Sequence, residues 1–152
     1  MALFLDLDGV MADFDEGYSL KFGRCPREHN DVDWDALSKV DGFYLDLPPM
    51  PDYALLWNAV KRNKPTILSG IPKSIPEAAA HKRAWVDKYL GSEVPLITCW
   101  AKDKWRYCNP GDVIVDDYER YKASWELAGG IWVTHVSAES SLEQLRILGL
   151  VH

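Results

Sequence analysis

LFLDLDGVMADF, residues Leu3–Phe14, is the stretch that decides the fold of this 152-residue chain. It begins with a short apolar run, which is typical of a β-strand buried on both faces of a sheet. The run leads directly into Asp6 and Asp8, and Asp13 follows soon after. Carboxylates this close together repel one another, so the stretch is either a solvated turn or a cation site.

The composition limits the classes of protein to consider. A hydrophobic content of 47% is enough for one core, and the length fits a single domain with at most a small inserted cap. The net charge of −6, with no basic run longer than Lys82-Arg83, counts against tight binding to nucleic acid or to an anionic membrane surface. No apolar stretch approaches the roughly 20 residues of a membrane-spanning helix. We therefore expect no membrane partner, and we do not expect nucleic acid to be a partner.

The expected compartment is the cytoplasm. The beginning of the chain lacks the basic and long apolar regions of a secretory signal. Cys25, Cys99 and Cys108 are odd in number and contain no C-x-x-C spacing, so buried free thiols in a reducing compartment are expected.

Apolar runs alternate with stretches of helical spacing along the chain. Further strands are predicted at Pro65–Leu68, Val94–Thr98, Val113–Val115 and Gly130–Val133. Helices are predicted at Tyr53–Lys61, Pro76–Leu90, Tyr118–Leu127 and Ser140–Leu148, the last opened by capping boxes of Ser140 with Glu143 or Ser141 with Gln144. This alternation predicts the α/β class, as a Rossmann-like doubly wound parallel sheet of about five strands.

One polar, Pro-containing segment at about 23–51 interrupts the alternation. It is too long for an ordinary connection, and its apolar residues need burial. We therefore expect a small cap, inserted after the first strand and helix of a single domain spanning 1–152. The residues expected to be buried in it are Trp34, Phe43, Tyr44, Leu45 and Leu47.

Polar residues follow the predicted strands at the ends where ligands bind in doubly wound sheets. Asp6 and Asp8 follow the first strand, Ser69 the second and Asp116-Asp117 the fourth, while Lys102 and Lys104 follow the third after a short gap. A hard divalent cation would relieve the repulsion between the carboxylates. Oxygen ligands without nearby His or Cys favour Mg²⁺ over zinc, so the sequence predicts a magnesium site.

The motifs "DLDGV", "ILSG", "AKDK" and "VIVDD" resemble those of the haloacid dehalogenase-like superfamily of Mg²⁺-dependent phosphatases. More closely, the chain resembles the 5′(3′)-deoxyribonucleotidases through "DLDGVMADF", "GFYLDLPPMP", "HKRAWVDKYLG", "ITCWAKDK" and "GDVIVDD", in the same order. The resemblance implies a phosphomonoesterase that hydrolyses nucleoside or deoxynucleoside monophosphates through an aspartyl-phosphate.

The resemblance also implies roles for individual carboxylates. Asp6 would be the nucleophile, and Asp8 would protonate the leaving oxygen and then deprotonate the hydrolytic water. Asp6, the backbone carbonyl of Asp8 and Asp117 would surround Mg²⁺. Asp116 would lie close behind, as a water-mediated ligand or as a group that orients Lys104.

The remaining implied roles concern the substrate. Ser69 and nearby backbone N–H groups, including Gly70, would hold the phosphoryl oxygens, and Lys104 would neutralise their charge. Lys82 is the rival for the lysine role, but its helix also carries Arg83 and Lys88, so a solvated face is expected for it. Phe14 matches a family aromatic that lies against the base. The family's further base-stacking aromatics have no clear counterpart in the shortened cap.

Several alternatives stay open at this stage. The same chemistry could serve a sugar phosphate, another small phosphorylated metabolite or a nucleic-acid phosphate end. A receiver-like phospho-acceptor module would carry its Asp after the third strand, where this chain has Thr98-Cys99. A dehalogenase would lack the second aspartate, Asp8. The expected partner is a small phosphorylated substrate, and a homodimer is left open. The four histidines, His29, His81, His135 and His152, are expected to be structural or solvated.

Overall fold

A five-stranded, entirely parallel sheet organises the computed structural model, which describes residues 1–27 and 29–152. The strands are β1 (Leu3–Leu5), β2 (Thr66–Gly70), β3 (Leu96–Cys99), β4 (Val113–Asp116) and β5 (Ile131–Thr134). They lie in the order β3-β2-β1-β4-β5, with Phe4 paired to both Thr66 and Ile114. The predicted α/β class and doubly wound sheet are confirmed. The strand order reverses at β1, so the carboxyl ends of β1 and β4 form the switch point where ligands bind in such sheets.

The helices follow the predicted alternation. They are α1 (Phe14–Phe22), α2 (Trp34–Ser38), α3 (Tyr53–Val60), α4 (Ala78–Tyr89), α5 (Lys122–Leu127) and α6 (Ala138–Ile147). Short 3₁₀ helices occupy His29–Asp31, Lys61–Asn63, Ala101–Tyr107 and Glu119–Tyr121. The 3₁₀ turn at Glu119–Tyr121 takes the place of the first part of the helix predicted from Tyr118.

The start of α6 differs from the prediction. Ser137 is the N-cap, and it forms a capping box with Ser140. The predicted boxes of Ser140 with Glu143 and of Ser141 with Gln144 are both wrong. Ser140 is the third helical residue of the observed box rather than its cap, and the Ser141 hydroxyl lies 2.7 Å from Nδ1 of His135. The Ala138 N–H donates to the Asp52 carboxylate at 2.8 Å, which ties this helix start to the turn before α3.

Side chains that alternate along the strands pack into two hydrophobic clusters. Leu3 and Leu5 face the larger cluster with residues of α3, α4 and α6, whereas Phe4 faces the smaller cluster with Trp125 of α5. The rings of Phe4 and Trp125 meet edge to face, with centroids 5.5 Å apart. Neighbouring residues of a strand point to opposite faces, so the sheet is covered on both sides.

The segment predicted as a cap, 23–51, is bonded through its described residues to the loop after β1 and to α4. The Asp13 N–H donates to Pro48 O at 2.8 Å, the Met50 N–H to Met11 O at 2.7 Å and the Trp85 indole N–H to Leu47 O at 2.8 Å. Phe43, Tyr44 and Leu47 are buried as expected. Leu45 is exposed, contrary to expectation, because the run of turns over 41–46 places its side chain outside.

The cysteines are all free, but their burial differs from the expectation. Cys25 is exposed, and Cys99 and Cys108 are partly buried. Cys25 lies in the irregular stretch just beyond α1, away from both hydrophobic clusters. Among the described residues, no helix has the length and apolar character needed to cross a membrane.

Candidate active site

The loop after β1 carries Asp6 and Asp8 to the carboxyl edge of the sheet. It curls back on itself, since the N–H groups of Met11 and Ala12 both donate to Leu7 O at 2.9 Å. Gly9 has φ +83°, which disfavours residues with a side chain, and a Cβ at this position would overlap the Asp117 carboxylate. The tight loop therefore needs glycine both for its backbone and for the close approach of Asp117.

The 3₁₀ segment Ala101–Tyr107 brings Lys104 to this edge, where the sequence predicted a lysine. The side chain is buried, and its Nζ lies 3.0 Å from Asp6 Oδ1 and 2.9 Å from Asp116 Oδ2. Burial by itself lowers the pKa of Lys104, but the charges of Asp6 and then Asp116 raise it above its usual value. Lys104 is therefore an ammonium that joins the ends of β1 and β4.

Three aspartates gather around this point. Asp6, Asp116 and Asp117 each offer a carboxylate oxygen, and these oxygens all lie within 4.8 Å of one another. Burial, followed by the charge of Asp6, raises the pKa of both Asp116 and Asp117. Three carboxyl groups therefore crowd around the single ammonium of Lys104, and their mutual repulsion favours protons or a further cation at this point.

This donor set fits Mg²⁺. Its ligand atoms are all carboxylate oxygens, which suit a hard cation rather than zinc. The two oxygens of Asp116 are already bonded, Oδ2 to Lys104 and Oδ1 to the Tyr118 N–H at 3.0 Å. Asp117 as a whole residue is exposed, but its carboxylate is partly shielded from solvent where it lies against Gly9. Asp117 therefore has the less committed carboxylate of the two, and its ranking above Asp116 as a direct metal ligand stays a prediction.

The structure corrects the expectation for Lys82, the rival lysine that the sequence placed on a solvated helix face. Lys82 is only 1% exposed. Its Nζ donates to Asp8 Oδ2 at 2.9 Å, Ser69 Oγ at 2.7 Å and Gly70 O at 2.8 Å. The buried residues of α4 are Ala78, Lys82, Trp85 and Val86, a helical i, i+4, i+7, i+8 spacing. A lysine within this apolar stripe was the signal that could have identified it.

Asp8 lies between Asp6 and Lys82. Burial is the largest influence on the pKa of Asp8 and raises it. The charge of Lys82 comes second and lowers the pKa, and the charge of Asp6 comes third and raises it. Asp8 Oδ1 is buried and has no hydrogen-bond partner among the described residues. Burial and the charge of Asp6 thus favour the protonated form of Asp8, as an acid requires.

Ser69 and Gly70 end β2 beside these groups. Ser69 is fully buried, with its hydroxyl oxygen accepting from Lys82, while Gly70 lines the cleft. A Cβ on Gly70 would lie 2.9 Å from the Cβ of Ala101, so glycine allows the 3₁₀ segment to approach β2. The predicted contact of Ser69 with a phosphoryl oxygen stays a prediction.

A cleft of about 950 Å³ opens above the carboxylates. Phe14 lines it together with Trp34 and Tyr44. The Phe14 ring centroid lies 6.0 Å from that of Trp34 and 6.3 Å from that of Tyr44, so the three rings form one aromatic wall. Cationic side chains also line the cleft: Arg27, Lys73 and Arg120.

His135, also in the cleft lining, has a partner that its sequence spacing did not reveal. Its Nδ1 lies 2.7 Å from Ser141 Oγ, across the turn from β5 to α6. Burial lowers the pKa of this imidazole, so it is neutral near pH 7. This agrees with a structural histidine. His81 is half-buried and His152 exposed, whereas the His29 side chain lies outside the described part of the chain.

Comparison with known proteins identifies the fold. No protein-family model and no curated protein sequence matches the chain. Among solved structures, the L-2-haloacid dehalogenase from Xanthobacter autotrophicus matches with a TM-score of 0.58 and 14% identity. The match covers 99% of this chain and 84% of the dehalogenase. The chain has the haloacid dehalogenase-like fold. The likeness at this identity concerns the fold alone, so it does not extend to the deoxyribonucleotidase family.

Proposed function

We propose that the protein is a Mg²⁺-dependent phosphomonoesterase that works through an aspartyl-phosphate. The observation that carries the proposal is the separate pairing of the two loop aspartates, Asp6 with Lys104 and Asp8 with Lys82. Lys104 holds the proposed nucleophile, Asp6, and Lys82 holds the proposed proton donor, Asp8, whose pKa is raised by burial and not by its lysine. An alkoxide leaving group needs that proton, whereas a halide departs without one. The second aspartate thus supports phosphate-ester hydrolysis over dehalogenation.

In the proposed first step, an Asp6 carboxylate oxygen attacks phosphorus and the bond from phosphorus to the ester oxygen breaks. Asp8 gives its proton to the departing oxygen, which leaves as an alcohol. Lys104 stabilises the charge on the transferring phosphoryl group. Mg²⁺, when bound beside Asp6 and Asp117, supplies the positive charge that lets a phosphate dianion approach these carboxylates.

In the second step, water attacks the aspartyl-phosphate and Asp8, now ionised, accepts its proton. The acyl-phosphate bond breaks, phosphate leaves and Asp6 is regenerated. Because one group serves as acid and then as base, its surroundings must tolerate both forms. The opposing influences of burial and Lys82 on the pKa of Asp8 suit this double role.

The proposed substrate class is the nucleoside and deoxynucleoside monophosphates. Phe14 and Trp34 are partly buried and offer flat rings beside the phosphate end of a cleft of about 950 Å³, which is large enough for a small ligand. The buried Tyr44 backs the Phe14 ring. Aromatic faces suit a nucleobase, which stacks on them. A sugar phosphate would use the same catalytic groups but would gain little from the aromatic wall.

The test is a phosphate-release screen of nucleotides, sugar phosphates and p-nitrophenyl phosphate, with Mg²⁺ and with a chelator. We expect Mg²⁺-dependent release that is fastest from nucleotides, and no release by Asp6→Asn, whose melting curve should show an intact fold. Faster release from sugar phosphates would contradict the substrate class alone. An absence of release from every ester, with halide release from 2-haloacids, would contradict the phosphatase.

A further inference from the structure

We propose that Lys82 is a positioning residue, which holds the Asp8 carboxyl group in place for proton transfer without binding the substrate. This inference rests on the proposed function, because it concerns the proton donor of that reaction. It corrects the sequence-based expectation that Lys82 faces solvent, and it keeps the role expected for Lys104.

The hydrogen bonds of Lys82 leave it no donor for a phosphate. A lysine ammonium has three N–H groups. Those of Lys82 meet three acceptors, namely Asp8 Oδ2, Ser69 Oγ and Gly70 O, at 2.7–2.9 Å. With 1% exposure, Lys82 is also absent from the described residues that line the cleft. Its position is therefore behind Asp8, away from any substrate.

Lys104 provides the contrast within the same site. It lines the cleft, and among the described residues its Nζ has two acceptors, Asp6 and Asp116. One N–H can therefore point toward a phosphoryl oxygen. The two buried lysines thus have different tasks, since Lys104 can contact the transferring group and Lys82 cannot.

The anchor that Lys82 provides is rigid. Asp8 lies on a loop, whereas Lys82 lies in the middle of α4 and two of its acceptors belong to β2. The Nζ also lies 4.6 Å from the centroid of the Tyr44 ring, which is a favourable cation–π distance. Since Asp8 Oδ1 has no partner among the described residues, the Lys82 contact at Oδ2 is what fixes the carboxyl group.

The leaving group of the substrate provides a direct test. An alkyl phosphate such as glycerol phosphate needs a proton on its leaving oxygen, whereas p-nitrophenyl phosphate releases a stable phenolate. For Lys82→Met we expect kcat/KM to fall by about tenfold more for the alkyl ester, because well-placed general acids contribute about 10²–10⁴ in rate. Lys88→Met, an exposed change on the same helix, should alter neither value.

The ratio of the two losses separates positioning from a general structural effect. If Lys82 only supported the fold, kcat/KM would fall by the same factor for both esters, and that result would overturn the proposal. An unchanged kcat/KM in Lys82→Met would overturn it too. If Lys82→Met does not fold, Lys82→Gln, which keeps a donor but no charge, provides the same comparison.

Coupling between the two residues gives an independent readout that needs no activity. Urea unfolding of Lys82→Met, Asp8→Asn and the double variant should show effects that do not add, because each single change removes the charged partner of the other residue. Additive effects would overturn the contact on which the proposal stands. If the parent protein releases no phosphate, the proposed function and the proton-transfer role are both contradicted. Non-additive unfolding in that case would still support the contact between Lys82 and Asp8.

Discussion

The substitution Lys104→Met tests the centre of the proposed site. Methionine keeps most of the aliphatic stem and removes the ammonium that lies 3.0 Å from Asp6 and 2.9 Å from Asp116. The three side chains are 7%, 11% and 5% exposed, so the pairs belong to the buried class rather than the weak surface class. Two buried carboxylates therefore lose their shared cation.

The structure sets two magnitudes for this change. Removing one partner of a buried ion pair costs about 3–5 kcal/mol of stability. At about 2–4 °C per kcal/mol for a chain of this size, the melting temperature should fall by about 6–20 °C. Removing one preorganised contact to a developing charge typically lowers kcat by about 10²–10³.

The assays are thermal unfolding by circular dichroism and steady-state phosphate release at a temperature where the variant is folded. Lys102→Met is the matched control, because Lys102 is exposed and lies two residues away in the same 3₁₀ segment. It should change neither quantity appreciably. A loss in kcat of less than tenfold for folded Lys104→Met would refute the role of this ammonium in the transition state. An unchanged melting temperature would refute the energetic value of the buried pairs.

Three further predictions concern the carboxylates. Asp8→Asn should slow turnover and accumulate an acid-stable radiolabelled phosphoenzyme, since asparagine cannot act as base in the second step, and turnover equal to that of the parent would exclude this role. Asp116→Asn should raise the Mg²⁺ concentration for half-maximal activity by about 10–100-fold, as expected for a residue that supports the metal ligands without binding the metal. Asp117→Asn should raise this concentration by more. Equal shifts in a Mg²⁺ titration would contradict this ranking. The pKa values of Asp8, Asp116 and Asp117 are raised in the folded metal-free protein. Above about pH 4 the folded protein therefore binds more protons than the unfolded chain. Its free energy of unfolding should fall as the pH rises. Urea unfolding at pH 5 and pH 8 should show this fall, and a larger gain from added Mg²⁺ at pH 8; higher stability at pH 8 without metal would contradict it.

The sheet and its acidic edge were predictable because both follow from local patterns. A short apolar run that ends in Asp6 and Asp8 indicates a buried strand entering a polar loop. In a parallel sheet, every such strand ends on the same edge. Asp116 and Asp117 therefore had to lie near Asp6 once their own strand joined the sheet.

The start of α6 shows where the local pattern was not sufficient. Several serines near residues 137–141 can satisfy a capping box, and the sequence does not rank them. The Ser141 hydroxyl does not cap the helix because it is bonded to His135, which follows the end of β5. Ser137 then caps the helix, since a capping residue must stand where the backbone leaves the strand in an extended conformation.

The sequence by itself determined the order of strands and helices and the chemical types that meet at the sheet edge, because periodicity and residue chemistry are properties of neighbouring positions. It did not determine which ammonium pairs with which carboxylate. Lys82 and Asp8 are distant along the chain, and their pairing depends on how α4 rotates as Trp85 and Val86 enter the core. That rotation minimises exposed apolar area over the whole helix face and carries Lys82 inward with its neighbours. Only the tertiary structure, in which burial and through-space charge act together, decided that this site contains two buried lysines.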